Sequence, residues 1–486
     1  MILSDAPRLD EQHLAAARGD TARPAYARTG ASVGVVHFGP GAFHRAHQAS
    51  YLDRVLESDP RWAICAVSLQ SPRVRDALAP QDFLYVLSEL GTERTMRIIG
   101  SLKQVLHGPE QSAAVFARLE SRATRLVTIS VTEKGYCLDA ANRLDHGHPD
   151  IVHDWCFPAA PRSLIGWLAE GLRRRRLTRA AAPVILSCDN LPDNGRILRA
   201  AVIEFASRRD PSLARFIEEE VAFPRTMVDS ITPATDDELR ACVAHAVGLT
   251  DAWPVQREPF CQWVIEDVPQ IALLDWERVG VVVARDVESY DRAKLRLVNG
   301  AHSMLAYLGL LRGRETVRDA MQDSPLQAFV ERVMREDIAP GLAREGSTLD
   351  TAAYIDQVLA RLRNPGIRHL LAQIAWDGSK KLPVRLLGTI EDALAAARSI
   401  DRLAWPLAAW MRFVVRQARA RVAIVDPLAE RLSALGLSCD GDQGDVARFL
   451  ELEGVFAPAL ARTRSFRQAL ERAYVRLADP LAALPA

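Results

Sequence analysis

Residues 32–48 read SVGVVHFGPGAFHRAHQ, and this stretch decides the fold. Its first seven residues, Ser32 to Phe38, are an almost unbroken apolar run that predicts a buried strand. The run breaks at Gly39-Pro40-Gly41 and resumes as a helical pattern over residues 46–56. A glycine pair between a strand and a helix lets backbone N–H groups approach a pyrophosphate at the helix N-terminus. Arg45, in the first helical turn, is placed to add a charge-assisted contact to such phosphates. The third glycine of the usual fingerprint is absent, because His44 stands in its place.

Working outward, residues 62–68, 125–131, 182–187 and 280–284 are further apolar runs of strand length. Helical patterns lie between them, at 112–119 and 162–177. Continuous apolar strands alternating with helices predict a parallel sheet covered on both faces. The Arg173 to Arg176 run reads as a solvated helix end. Beyond residue 286 Ala, Leu, Arg and Glu dominate with helical periodicity, as at 391–400 and 406–422. The second of these opens on a proline, which a first helical turn tolerates. The expected fold class is an α/β Rossmann-type N-terminal domain with a mostly parallel sheet, followed by an all-α C-terminal domain. The boundary falls between a dinucleotide-binding domain at 1–285 and a helical substrate and catalytic domain at 286–486.

Of 486 residues, 49% are apolar and 25% charged, which excludes disorder as the main state. Basic and acidic residues number 61 each, so the chain lacks the positive excess of a general nucleic-acid binder. No apolar run is long enough to span a membrane, and the first residues have no signal-peptide core; a cytoplasmic location is expected. The seven cysteines are scattered without a paired spacing, as free thiols are.

Only five of the basic residues are lysine: Lys103, Lys134, Lys294, Lys380 and Lys381. In so arginine-rich a chain, a surviving lysine marks a place where arginine cannot serve, such as a proton-transferring amine. Lys294 opens the segment KLRLVNGAH, with Asn299 and His302 following. On an α-helical wheel these lie about 140° and about 80° from the lysine, along one broad side. The neighbours are apolar, so an amine here is expected to lose hydration and with it some basicity. Asn190, in SCDNLPDNG at the end of a predicted strand, can offer a neutral N–H to a substrate oxygen, and Asn299 another. The alternatives are a snorkelling lysine and an ordinary Asx turn. His44, His47, His146, His148 and His153 offer imidazoles for a zinc set, but no carboxylate or cysteine completes a pattern, and no metal is expected.

Together these pieces resemble the mannitol dehydrogenase family, the polyol-specific long-chain dehydrogenases. The matching stretches are VHFGPGAFHRAHQ (36–48), TEKGYC (132–137), LSCDNLPDNG (186–195), FPRTMVDSITP (223–233), EPFCQWVIED (258–267), KLRLVNGAHSMLAYLG (294–309) and WDGSKKLP (376–383). The resemblance implies metal-independent hydride transfer with NAD(H), at an active site between the two domains. It implies Lys294 as acid–base, Asn190 and Asn299 as oxyanion donors, and His302 in support. Asp229, Lys381 and Gln373 match substrate-contacting positions, Asp291 a proton path, and Gly39, Gly41, Phe43 and Arg45 the cofactor turn. Lys134, Gln373 and the LP at 382–383 resemble the fructuronate reductase branch, which makes D-mannonate and D-fructuronate the expected pair. Mannitol and other polyols, such as arabinitol or sorbitol, are the alternative, and a non-catalytic sugar-acid binder is the remote one. The loop Leu69 to Arg73 carries no acidic residue to repel a 2′-phosphate, so NADP is also possible. The expected partner is a small sugar acid or polyol; protein partners are not legible.

Overall fold

In the computed structural model, which describes residues 6–342 and 349–485, the apolar runs fold as strands. They are β1 (Val33–Phe38), β2 (Ala63–Ser68), β3 (Tyr85–Leu90), β4 (Arg94–Ile99), β5 (Leu102–His107) and β6 (Leu126–Ile129). β7 (Val184–Ser187), β8 (Thr226–Asp229), β9 (Val255–Arg257), β10 (Gln262–Glu266) and β11 (Val282–Ala284) follow. The main sheet has the order β5-β2-β1-β6-β7, and every neighbouring pair in it is parallel. Two three-stranded sheets, β4-β3-β9 and β11-β10-β8, accompany it.

Side chains alternate across the pleat, so β1 serves two cores at once. Val36 and Phe38 pack with Phe116, Trp167, Leu198 and Ile217 from helices on one face. Val35 packs with Leu52, Val55, Trp263 and Trp276 on the other. Both faces are covered, which is why β1, β2, β6 and β7 are apolar almost throughout.

The chain divides into two units, Met1–Val287 and Glu288–Ala486. The second contains no strand among its described residues. Its central helix, Gly300–Leu311, is buried on nearly all sides, as an apolar helix without a polar face must be. Helices Leu371–Ile374 and Asp401–Arg419 pack against it. No helix of the described residues is long and apolar enough to cross a membrane.

Four local expectations are corrected. The helix read at 46–56 starts earlier, as Ala42–Ala46, and breaks at His47 before Gln48–Val55, where the His47 ring meets the Gln262 carbonyl at 2.8 Å. Pro406 does not open a helix but lies inside Asp401–Arg419, because the first turn is written in charged residues ahead of the apolar run. Arg175, in the run read as solvated, is buried and donates to the carbonyls of Ala181, Leu119, Ser121 and Thr124 at 2.5–2.9 Å. Lys294–Asn299 is not α-helical but a π turn, in which the N–H of Gly300 reaches back five residues to the Leu295 carbonyl.

Candidate active site

In the first unit a cavity of about 750 Å³ opens where β1, β2 and β6 end. It is the point at which strand order reverses, where open α/β sheets bind their ligands. Gly39 makes the turn possible: its φ is +94°, and a Cβ there would lie 2.2 Å from the Ser130 carbonyl oxygen. The His37 ring braces the turn, with Nε2 3.0 Å from the Gly39 carbonyl and Nδ1 2.8 Å from the Thr128 hydroxyl. Burial pushes His37 down to about 3, so it is neutral there. His44, at the missing-glycine position, stacks on it with ring centroids 3.3 Å apart.

The cavity wall includes Gly39, Gly41, Gln70, Ser71, Arg73, Thr132, Lys134 and Arg162. Arg45 and Phe43 are not part of it. Arg45 is buried between the Tyr85 and Trp253 rings and donates to the Trp253 carbonyl at 2.5 Å. The phosphate contact expected of it is therefore corrected to an internal tie. Phe43 stacks on His47 at 4.8 Å. Asn190 is exposed just beyond β7, and Asp229 is the buried last residue of β8.

Asp189, next to Asn190 in the chain, has a part that sequence reasoning missed. Its carboxylate accepts from the Thr132 N–H at 2.8 Å, the Val131 N–H at 3.1 Å and the Tyr136 hydroxyl at 2.8 Å. Burial pushes the Asp189 carboxyl above the ordinary range, and these donors pull it back.

In the second unit, Lys294 and Asn299 bracket the π turn and both are half-buried. Residues five apart stack about one turn apart in an i→i+5 ladder, so the wide turn brings lysine and asparagine closer to one face than the α-helical wheel did. His302 follows in the first turn of Gly300–Leu311, and Asp291 precedes Lys294 in Val287–Ala293. Arg385, which was not anticipated, donates to the Asn299 carbonyl at 3.4 Å and the Ser303 hydroxyl at 3.2 Å. The His302 and His369 rings meet edge to face at 5.1 Å. Burial first, then the charges of His369, Arg361 and Arg385, holds His302 well below the ordinary histidine range. Burial and the Lys381 charge lower His369 likewise, and burial with Arg385 lowers Lys381. Lys381 is carried by helix Gly378–Leu382, while Gln373 is exposed in Leu371–Ile374. The helix starts at a glycine because a Cβ on Gly378 would meet the Tyr307 hydroxyl at 2.5 Å. In so arginine-rich a chain, Arg361 and Arg385 carried no compositional signal.

A glycine turn at the switch point of a five-stranded parallel sheet, followed by a helical unit with a half-buried lysine, defines a dehydrogenase-class oxidoreductase. The family models agree: a mannitol dehydrogenase Rossmann domain matches residues 33–278, and a mannitol dehydrogenase C-terminal domain matches 286–478. The chain belongs to the mannitol dehydrogenase family. It is 40% identical over 468 residues to the D-mannonate oxidoreductase of Escherichia coli (strain K12), covering 94% of this chain and 96% of that one. The structure of Pseudomonas fluorescens mannitol 2-dehydrogenase, a ternary complex with NAD and D-mannitol, is 35% identical, covers 97% of each chain and gives a TM-score of 0.80. A substrate-free D-sorbitol dehydrogenase is 30% identical, with 98% and 100% coverage and a TM-score of 0.91.

Proposed function

We propose that this polyol and sugar-acid dehydrogenase is an NAD(H)-linked enzyme that interconverts D-mannonate and D-fructuronate. The observation that carries the substrate class is the set of cations around the two histidines of the helical unit. Lys381, Arg385 and Arg361 act electrostatically on one another or on His302 and His369. Asp377 and Asp426 offset part of the charge on Lys381. A substrate carboxylate forms ion-paired hydrogen bonds with such a set, stronger than those the neutral hydroxyls of a polyol accept.

The cavity beside Gly39 and Gly41 fits a dinucleotide, since the turn keeps side chains away from the path of a pyrophosphate. When bound, the nicotinamide supplies the hydride acceptor or donor. In alcohol oxidation, the Lys294 amine takes the hydroxyl proton; in ketone reduction, its ammonium form returns it. The amide N–H groups of Asn190 and Asn299 hold the oxygen while negative charge builds on it. His302, kept neutral, adds a hydrogen bond without a competing charge.

Initial rates with NADH on a panel of uronates, ketohexoses and polyols test the reading. Fructuronate is expected to exceed fructose in kcat/KM by at least about tenfold, the worth of one well-placed ionic contact. A preference for fructose or mannitol would reject the sugar-acid reading.

The cofactor itself yields a second expected outcome. Gln70, Ser71 and Arg73 line the cavity after β2, with no acidic residue on that loop. NADP(H) is expected to serve at less than about a tenfold disadvantage, because one repulsive contact is worth roughly 1–3 kcal/mol in such discrimination. Steady-state kinetics with both cofactors decide it, and a preference for NAD above about a hundredfold contradicts it.

A further inference from the structure

Thr132 has φ 72° and ψ 161°, a backbone region that a β-branched side chain resists. Cys137, five residues on, also has positive φ, at 52°. The segment 131–137, which holds both, forms part of the cavity wall through Val131, Thr132, Lys134, Gly135 and Cys137. Such a conformation persists only where the surroundings over-determine it, and here the over-determining group is one carboxylate. Asp189 Oδ1 takes the N–H of Thr132 itself, and Oδ2 takes the N–H of Val131 and the Tyr136 hydroxyl. The Tyr136 oxygen lies 2.6 Å from Ser187 Oγ at the end of β7. Because the phenol proton goes to Asp189, the serine hydroxyl donates to the phenol. The chain of bonds thus runs from the end of β7 into the loop after β6.

We propose that Asp189 is a positioning residue for dinucleotide binding: its three accepted hydrogen bonds hold the strained 131–137 loop in the shape that forms the cavity wall beyond β6. This rests on reading the cavity as the dinucleotide site, as proposed above. The chemistry of the acceptor is specific. Three donors converge on the two oxygens, so a carboxylate satisfies all of them. A carboxamide has one oxygen and an NH₂ group, which faces an N–H or the phenol with a donor of its own.

The test is NADH binding by the full chain, followed by fluorescence, with kinetics and thermal unfolding alongside. Asp189→Asn is expected to raise the NADH Kd about tenfold, with the loss in kcat/KM for NADH carried mainly by KM. Thr132→Gly removes the steric cost of the positive-φ backbone. In that background the same Asp189→Asn change is expected to raise Kd by no more than about threefold. A residue that only stabilises the fold would lower the unfolding temperature and leave Kd unchanged. Unchanged NADH affinity in Asp189→Asn therefore overturns the proposal, as does an equal penalty in both backgrounds. Should Asp189→Asn fail to fold, Tyr136→Phe removes one donor without altering charge. It is expected to raise Kd about threefold, and wild-type affinity in that variant overturns the proposal. Absence of NADH binding by the wild-type chain is a separate outcome, which overturns the cofactor reading and this inference with it.

Discussion

Lys294→Ala is expected to lower kcat by about two to four orders of magnitude, the usual span for loss of a positioned acid or base. NADH affinity should change little, because the lysine belongs to the helical unit while the glycine turn belongs to the first. Lys294→Arg separates two roles that alanine confounds. Arginine keeps the positive charge but does not release a proton at working pH, so it should be almost as damaging as alanine. Direction matters as well. Oxidation needs the neutral amine and should rise with pH, whereas reduction needs the ammonium form and should fall. If the arginine variant kept about a third of the wild-type kcat or more, Lys294 would act as a charge and not as the acid–base.

The glycine pair at the turn should separate in an informative way. Gly39→Ala places a methyl group 2.2 Å from the Ser130 carbonyl oxygen, on a backbone with φ of +94°. Neither group is a flexible side-chain end, so the turn must open. Loss of about 2–4 kcal/mol of stability is expected, with NADH binding weakened at least about a hundredfold. At Gly41 the nearest atom to an added Cβ is 4.0 Å away, and φ is ordinary. Gly41→Ala should therefore leave the unfolding temperature unchanged and weaken NADH binding alone, by crowding the pyrophosphate. Calorimetric unfolding and NADH titration of both variants check this. Wild-type NADH affinity in Gly41→Ala would move the pyrophosphate away from this turn.

Much of the architecture was legible because burial writes itself into composition. β1, β2, β6 and β7 are covered on both faces, so their runs are apolar and contiguous. β5, at one edge of the main sheet, was not legible because half-buried Lys103 and Gln104 interrupt its apolar run. β8, β9 and β10 interleave polar residues such as Asp229, Gln256 and Glu266, which pair in small sheets without a strong alternating pattern. At the candidate site, the scarcity of lysine points to Lys294, and the motifs that hold them point to Asn190 and Asn299. The site was illegible where function depends on what a residue holds: Asp189 is one aspartate among many until its three donors are seen. Arg45 misled for the opposite reason. Its position in the sequence suited a phosphate, but the Tyr85 and Trp253 rings give its guanidinium a better-defined place inside.

The π turn at Lys294–Asn299 is not alone: Pro383–Leu387 and Val333–Ile338 are wound in the same wide fashion and both pack against it. A wide turn is in effect one extra residue accommodated in a helix without a change in its direction. In this helical unit, then, the number of residues between two positions carries information that their identities do not. A deletion of one residue between Lys294 and Asn299 would let the segment wind as an ordinary α-helix, leaving the flanking residues in nearly their present register but removing the widened turn that carries Lys294 and Asn299. Across relatives such segments should tolerate exchange of side chains far better than a gap. In reshaping the site, chain length at these turns is the quantity to hold constant.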